Sequence, residues 1–274
     1  MRADPRLLAC VALVPLLAGC WSSNAEPSGS TPASPAPSPS VMTTEMRYAA
    51  LGDSYSAAPF VPQTDLAGGC FRSSGNYPSL VAEDLGITDV DDVTCSGADT
   101  DLVTVGIGGN DENLFATLVH QCTTVPPGGS PCLSLVGPAG AEPSGVIRRT
   151  AQRVVGVLDL VHRKAPDAQV VLVGYPRLVD ADRACGKIPI DAAELSGVED
   201  FEQELRDALA GAAEKGDAEF VDMYALSEGH AICSDDPWVN GRTTDESRAL
   251  AYHPFAVEQQ VVAEQVEQLV TEGS

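Results

Sequence analysis

Tyr48-Ala49-Ala50-Leu51-Gly52-Asp53-Ser54-Tyr55-Ser56 is the stretch from which the fold can be read. An apolar run ends in glycine and turns sharply, so it predicts a β-strand passing into a helix. A serine on such a turn has its hydroxyl exposed and its backbone N–H aimed at a bound molecule. Nucleophilic serines on open α/β sheets occupy that place. Taken alone, the same residues also describe an ordinary strand-ending Gly-Asp-Ser turn.

Two further stretches weigh toward chemistry. Gly108-Gly109-Asn110-Asp111 follows the apolar run Leu102-Val103-Thr104-Val105-Gly106-Ile107. Glycines let the backbone approach a ligand. The Asn110 amide at a strand end can donate to a developing oxyanion with no charge of its own to desolvate. The alternative is a glycine-rich turn with Asn110 as helix N-cap before a helix over Glu112 to His120. Near the C-terminus comes His253-Pro254. Pro254 suits the first turn of an amphipathic helix from Phe255 to Val270 and leaves His253 just outside it. A histidine is the proton acceptor a serine hydroxyl needs, because its pKa lies near neutrality.

Strands are expected at Arg47–Leu51, Asp91–Cys95, Leu102–Ile107, Gln169–Gly174 and Glu219–Met223. Several are short valine-rich runs, as in strands covered on both faces. They alternate with helical segments, the pattern of a doubly wound parallel sheet. Ala192 to Ala213 is rich in alanine, leucine and glutamate and reads as helix. The clearest helix runs from Ser144, as N-cap, to Ala165 before Pro166. Its Val146, Thr150, Val154, Leu158 and Val161 recur at helical spacing as a buried stripe. His162, beside Arg163 and Lys164 in its last turn, reads as a solvated residue favoured by the helix dipole. His120 and His230 read as structural, which leaves His253 as the base.

A chain of 274 residues with 44 % apolar content has room for one ordinary domain and a leader; at 5 % aromatics its core is aliphatic. A net charge of −23 repels polyphosphate and anionic surfaces, so nucleic acid is excluded as a partner. Arg2 and Arg6 precede an apolar run, Leu7 to Ala18, that is too short to span a bilayer and reads as a signal-peptide core. Leu17-Ala18-Gly19-Cys20 resembles a bacterial lipobox, with Cys20 lipidated; the alternative is an ordinary secretory signal. The expected organisation is a signal over 1–20, a Pro/Ser-rich tether over 21–45 and the folded domain over 46–274. Such a protein is secreted and anchored by lipid to the outer face of the membrane. Beyond the leader, Cys70, Cys95, Cys122, Cys132, Cys185 and Cys233 remain, and spacing alone leaves their pairing open. No CxxC or HxxxH spacing points to a metal, and none is expected.

Together, Gly52-Asp53-Ser54-Tyr55-Ser56, Cys95-Ser96-Gly97-Ala98, Gly108-Gly109-Asn110-Asp111 and His253-Pro254 resemble the blocks of the SGNH hydrolases, the GDSL esterase/lipase family, in its secreted actinobacterial branch. The resemblance covers roughly 47–270. It implies a three-layer α/β/α flavodoxin-like fold with a parallel sheet, acting on carboxylic esters without a cofactor. It assigns Ser54 as nucleophile, His253 as general base, and Ser54 N–H, Gly97 N–H and the Asn110 amide as oxyanion hole. It also implies sequential disulfides, Cys70–Cys95, Cys122–Cys132 and Cys185–Cys233.

Two departures from the family pattern stand out. Many members place an aspartate three residues before the histidine, where this chain has Leu250. The Leu250 backbone carbonyl is expected to hold the imidazole, with Asp245 or Glu246 as alternatives. Secondly, only Ser96 to Asp101 separate Cys95 from Leu102. A parallel crossover takes at least about ten to twelve residues. Either the second strand is shortened or Gly97 is displaced from the oxyanion hole.

The expected function is an extracellular serine esterase, monomeric, acting on acyl or acetyl esters of small molecules, lipids or polysaccharides. The alternatives are a lipase or phospholipase for longer chains, and a surface binding protein that keeps the scaffold but has lost turnover.

Overall fold

The computed structural model describes residues 46–65, 71–91, 100–124, 131–135 and 142–272. Cys20, the tether, Cys70, Cys95 and Gly97 lie outside the described residues, and so does the expected Cys70–Cys95 bridge.

Five parallel strands form the sheet: β1 (Arg47–Gly52), β2 (Asp89–Asp91), β3 (Leu102–Gly106), β4 (Gln169–Val173) and β5 (Glu219–Val221). Their order is β2-β1-β3-β4-β5, the flavodoxin-like winding in which the direction of strand addition reverses at β1 and β3. β1 and β3 run in register, Leu51 opposite Val105 and Gly52 opposite Gly106. The two central strands therefore end level with each other, and the loops leaving them share one edge of the sheet.

The helices are α1 (Ser54–Ala57), α2 (Tyr77–Asp84), α3 (Leu114–Thr124), α4 (Pro143–Lys164), α5 (Leu195–Lys215), α6 (Met223–Leu226) and α7 (Ala256–Glu272). Side chains alternate along β1, β3, β4 and β5 between two buried clusters, as the pleat requires. Val103 and Val105 of β3 and Val170 and Leu172 of β4 face Leu114, Val154, Leu158 and Leu205 of α3, α4 and α5. Tyr48 and Ala50 of β1 and Val171 and Val173 of β4 face Val81 of α2 and Val262 and Val266 of α7. Helices thus cover both faces of the sheet, giving the three-layer α/β/α fold.

The stripe expected on α4 is buried from Val146 through Thr150, Val154 and Leu158 to Val161. Its cap is not Ser144. Pro143, which needs no N–H partner, opens the helix after Glu142, and the Ser144 hydroxyl instead donates to Glu204 of α5 at 2.8 Å. Pro254 is likewise not in the first turn of the last helix. α7 starts at Ala256, while Pro254 forms a bridge with Val239.

β2 departs most from expectation. It covers Asp89–Asp91 and so starts two residues before the expected Asp91–Cys95, of which 92–95 lie outside the described residues; Asp89 and Val90 are exposed at the sheet edge. Charged side chains on an edge strand are a common way to leave a sheet edge unattractive to a second chain.

Two disulfides join described residues, Cys122–Cys132 and Cys185–Cys233. The first ties the end of α3 to the short turn Cys132–Leu135; the second holds the loop after β4 to the loop after α6.

Candidate active site

Ser54 is the first residue of α1, one step beyond Asp53 and two beyond the end of β1. The Asp53 side chain caps this short helix by accepting from Tyr55 N–H at 2.9 Å, and Asp53 N–H donates to the Gly106 carbonyl of β3 at 3.0 Å. α1 can fold back over the end of β1 because Gly52 has no side chain. A Cβ there would lie 2.2 Å from that of Ser56.

His253 reaches Ser54 from the segment before α7. Its Nε2 lies 2.8 Å from Ser54 Oγ, and its Nδ1 lies 2.8 Å from the Ala251 carbonyl. A carbonyl oxygen only accepts, so Nδ1 carries the ring proton and Nε2 presents a lone pair to the serine hydroxyl. Burial pushes the His253 pKa below the ordinary histidine value, opposed by the bond to Ala251.

The carbonyl that His253 Nδ1 meets is that of Ala251, not of Leu250. The Leu250 carbonyl accepts from His253 N–H at 3.1 Å and from Asn240 Nδ2 at 3.2 Å. It closes a turn in which Tyr252 adopts φ 59°, the left-handed conformation such a turn calls for. The turn uses the Leu250 carbonyl and leaves that of Ala251 for the ring. Neither acidic alternative takes its place at Nδ1: Asp245 is bound to the Ser247 hydroxyl and N–H.

Asn110 lies at the same sheet edge, four residues beyond the end of β3, and is exposed. Its side chain makes no capping hydrogen bond. The helix expected over Glu112 to His120 begins instead at Leu114, after a 3₁₀ turn over Asp111–Asn113. Glu112 and Asn113 both have positive φ, 51° and 61°. Two arginines of α4 hold this unusual backbone. Arg149 grips Glu112 through Nε at 2.9 Å and Nη2 at 2.6 Å, and Arg153 bonds both Glu112 and Asp111. The Glu112 pKa is lowered to about 2, first by its hydrogen bonds to Arg149 and then by those to Arg153.

Two tyrosines join these segments, and sequence reading assigned neither. Tyr175, just past β4, accepts from Gly109 N–H at 2.7 Å and donates to Asp53 Oδ2 at 2.6 Å. Tyr55 donates to the Tyr252 carbonyl at 2.7 Å. The Tyr55 ring lies 5.3 Å from both Tyr175 and His253, with Phe115 at 5.9 Å. Asp53 is buried enough that desolvation raises its pKa, against the lowering effect of the Tyr175 and Tyr55 bonds. The signal that could have found Asp53 was its place next to Ser54. Tyr175 carried none, since its partners are far away in the chain.

The other histidines sit elsewhere. His230 Nδ1 is 2.7 Å from the Asp236 carbonyl and its ring stacks on Trp238 at 4.2 Å. His162 Nε2 meets the Gly216 carbonyl at 3.0 Å, and His120 is exposed on α3.

The GDSL-like Lipase/Acylhydrolase family matches residues 50–256 of the chain. Lipase 2 of Streptomyces coelicolor is 32 % identical over 268 residues, covering 86 % of this chain and 90 % of that protein. The crystal structure of the extracellular lipase of Streptomyces rimosus superposes with a TM-score of 0.67 at 28 % identity, over 81 % of this chain and 99 % of the other. That of phospholipase A1 from Streptomyces albidoflavus NA297 gives 0.65 at 25 % identity, again over 81 % and 99 %.

Proposed function

The chain belongs to the GDSL-like lipase/acylhydrolase family, and on that premise we propose that it is a serine ester hydrolase working through a Ser54–His253 dyad. The observation that carries this reading is the pair of contacts made by one imidazole, Nε2 on Ser54 Oγ and Nδ1 on the Ala251 carbonyl.

In the proposed reaction Ser54 Oγ attacks the ester carbonyl carbon while its proton passes to His253 Nε2. The carbonyl oxygen becomes an oxyanion, which Ser54 N–H and the Asn110 amide stabilise; Ser54 is the first residue of α1, so its N–H has no partner within the helix. Gly97 N–H is proposed as the third donor. Collapse of the intermediate breaks the bond to the alcohol oxygen, which takes the proton from Nε2. Water, deprotonated by the same Nε2, then attacks the acyl-serine; the acyl–Oγ bond breaks, Ser54 Oγ takes the proton back from Nε2, and the acid is released. Throughout, Nδ1–H stays on the Ala251 carbonyl. A neutral acceptor stabilises the imidazolium less than a carboxylate does, so a modest turnover is expected.

The exported location is supported by the two disulfides, which persist in oxidising compartments, and by the signal-like leader. Lipidation at Cys20, a tethered domain at the outer membrane face and a monomeric state complete the proposal. The substrate class is acyl or acetyl esters. Longer chains are a second reading, favoured by the likeness to a lipase and a phospholipase A1 of known structure. Hydrolysis of p-nitrophenyl esters from acetate to palmitate separates the two. Turnover that falls steadily with chain length supports the short-acyl reading, and turnover that rises supports the lipase. No turnover of any ester would contradict the function itself and favour a binding protein on this scaffold.

A further inference from the structure

The residue before Ser54 and the residue before Asn110 are tied to the same hydroxyl. Gly109 N–H donates to Tyr175 Oη at 2.7 Å, and the Tyr175 O–H donates to Asp53 Oδ2 at 2.6 Å. We propose that Tyr175 is a positioning residue that sets the oxyanion donor Asn110 against the nucleophile Ser54, an inference that rests on the roles proposed for those two residues.

Three features support it. The chain of donors has one direction. The backbone N–H can only donate, the Asp53 carboxylate only accepts, and a hydroxyl does both, so a tyrosine fits between them where a phenylalanine does not. The link is also rigid. Tyr175 is buried, with its ring edge-on to Phe115 at 4.9 Å and to Tyr55 at 5.3 Å. Finally, Gly109 leaves no slack. A Cβ there would stand 2.3 Å from the Phe115 ring and 2.9 Å from that of Tyr175, so the backbone lies directly on the aromatic cluster.

The two ends of the link are not equally dependent on it. Asp53 keeps its bond from Tyr55 N–H when Tyr175 is altered. Gly109 N–H gives its bond to Tyr175, and buried N–H groups are rarely left without an acceptor. Loss of the hydroxyl therefore acts first on the Gly109-Asn110 side. A small misplacement of a group in the reaction geometry can cost about 100-fold in rate.

The test is a double-mutant cycle on kcat and KM for p-nitrophenyl acetate, with the melting midpoint of each protein. Tyr175→Phe is expected to lower kcat about 10- to 100-fold, with KM within about threefold and the protein folded at the assay temperature. Combined with Asn110→Ala, it is expected to add less than about a threefold loss to Asn110→Ala alone, because it acts through that residue. Multiplying losses in the double variant would overturn the proposal. So would a slow Asn110→Ala beside an unimpaired Tyr175→Phe, which defeats the positioning role alone. Full activity of Asn110→Ala would overturn it at its premise, the donor role of Asn110. Should Tyr175→Phe melt below the assay temperature, Asp53→Asn tests the same link. It can keep the cap on Tyr55 N–H but turns an NH₂ toward Tyr175 Oη in competition with Gly109. The same kcat loss is expected, and parental kcat would overturn the proposal.

Discussion

His253 Nε2 lies 2.8 Å from Ser54 Oγ, although the two residues are 199 positions apart in the chain. Ser54 stands at the end of β1 and His253 ahead of α7, and the Tyr55 hydroxyl bonded to the Tyr252 carbonyl binds the residues next to each of them. If the pair acts as one unit, removing either member removes the function of both. Ser54→Ala and His253→Ala are each expected to lower kcat by several orders of magnitude, up to about 10⁶. The double variant should be no slower than the slower single one. Losses that multiply in steady-state kinetics would show that the two side chains act separately.

The imidazole is oriented by a backbone carbonyl, so no single acidic residue should be indispensable to it. Asp245 is bound to Ser247 through the hydroxyl at 2.6 Å and the N–H at 3.0 Å, away from Nδ1. Asp245→Asn is expected to keep kcat/KM within about threefold of the parent, in contrast to the roughly 10⁴-fold loss when a triad aspartate is replaced. A loss beyond 100-fold would mean that the carboxylate, not Ala251, holds the ring.

The pH profile carries a sign that burial decides. In the proposed dyad His253 must be neutral to take the serine proton, so kcat/KM is expected to rise with pH as the imidazole deprotonates. Burial lowers its pKa from the ordinary value of 6.5. The acidic limb of the profile should therefore have its midpoint below 6.5, with activity kept into mildly acidic solution. A midpoint above 7 would place the controlling ionisation elsewhere.

Glu202 and Glu258 are buried, and desolvation pushes both from 4.5 up to about 8. Each binds a proton more tightly folded than unfolded. Their stabilisation is complete below about pH 4.5 and is lost as pH rises through 8. The melting midpoint should fall between pH 6 and pH 9, by an amount reflecting roughly a few kcal/mol for the two groups. Glu258→Gln, which keeps a neutral side chain of the same shape, should flatten that decline. An unchanged slope in differential scanning calorimetry would contradict the buried protonated state.

Much of the architecture could be read from local pattern. Valine-rich runs alternating with helical segments led to the parallel sheet, and Gly-Asp-Ser, Gly-Gly-Asn and His-Pro mark three loops that the structure brings to one side of the protein. The misreadings share a physical origin. Which carbonyl meets His253 depends on a turn closed through Leu250 and on a left-handed Tyr252, and residue type at 250 does not reveal either. Pro254 belongs to a bridge with Val239 rather than to α7, a pairing made by the fold and not by neighbours in sequence. β2 is an exposed edge strand with aspartates, so it lacks the apolar run that marks the interior strands. Tyr175, set between Gly109 and Asp53, has partners 66 and 122 residues away and no local signature.

The most direct measurement is covalent labelling by a fluorophosphonate, which reports a nucleophilic serine whatever the natural ester is. A Ser54–His253 dyad requires stoichiometric labelling of the parent protein, with the adduct mapped by mass spectrometry to Ser54. It also requires Ser54→Ala to be unlabelled and His253→Ala to label at least about 100-fold more slowly, since Ser54 then lacks its proton acceptor. Adduct on another residue, or His253→Ala labelling at the parental rate, would contradict the Ser54–His253 dyad.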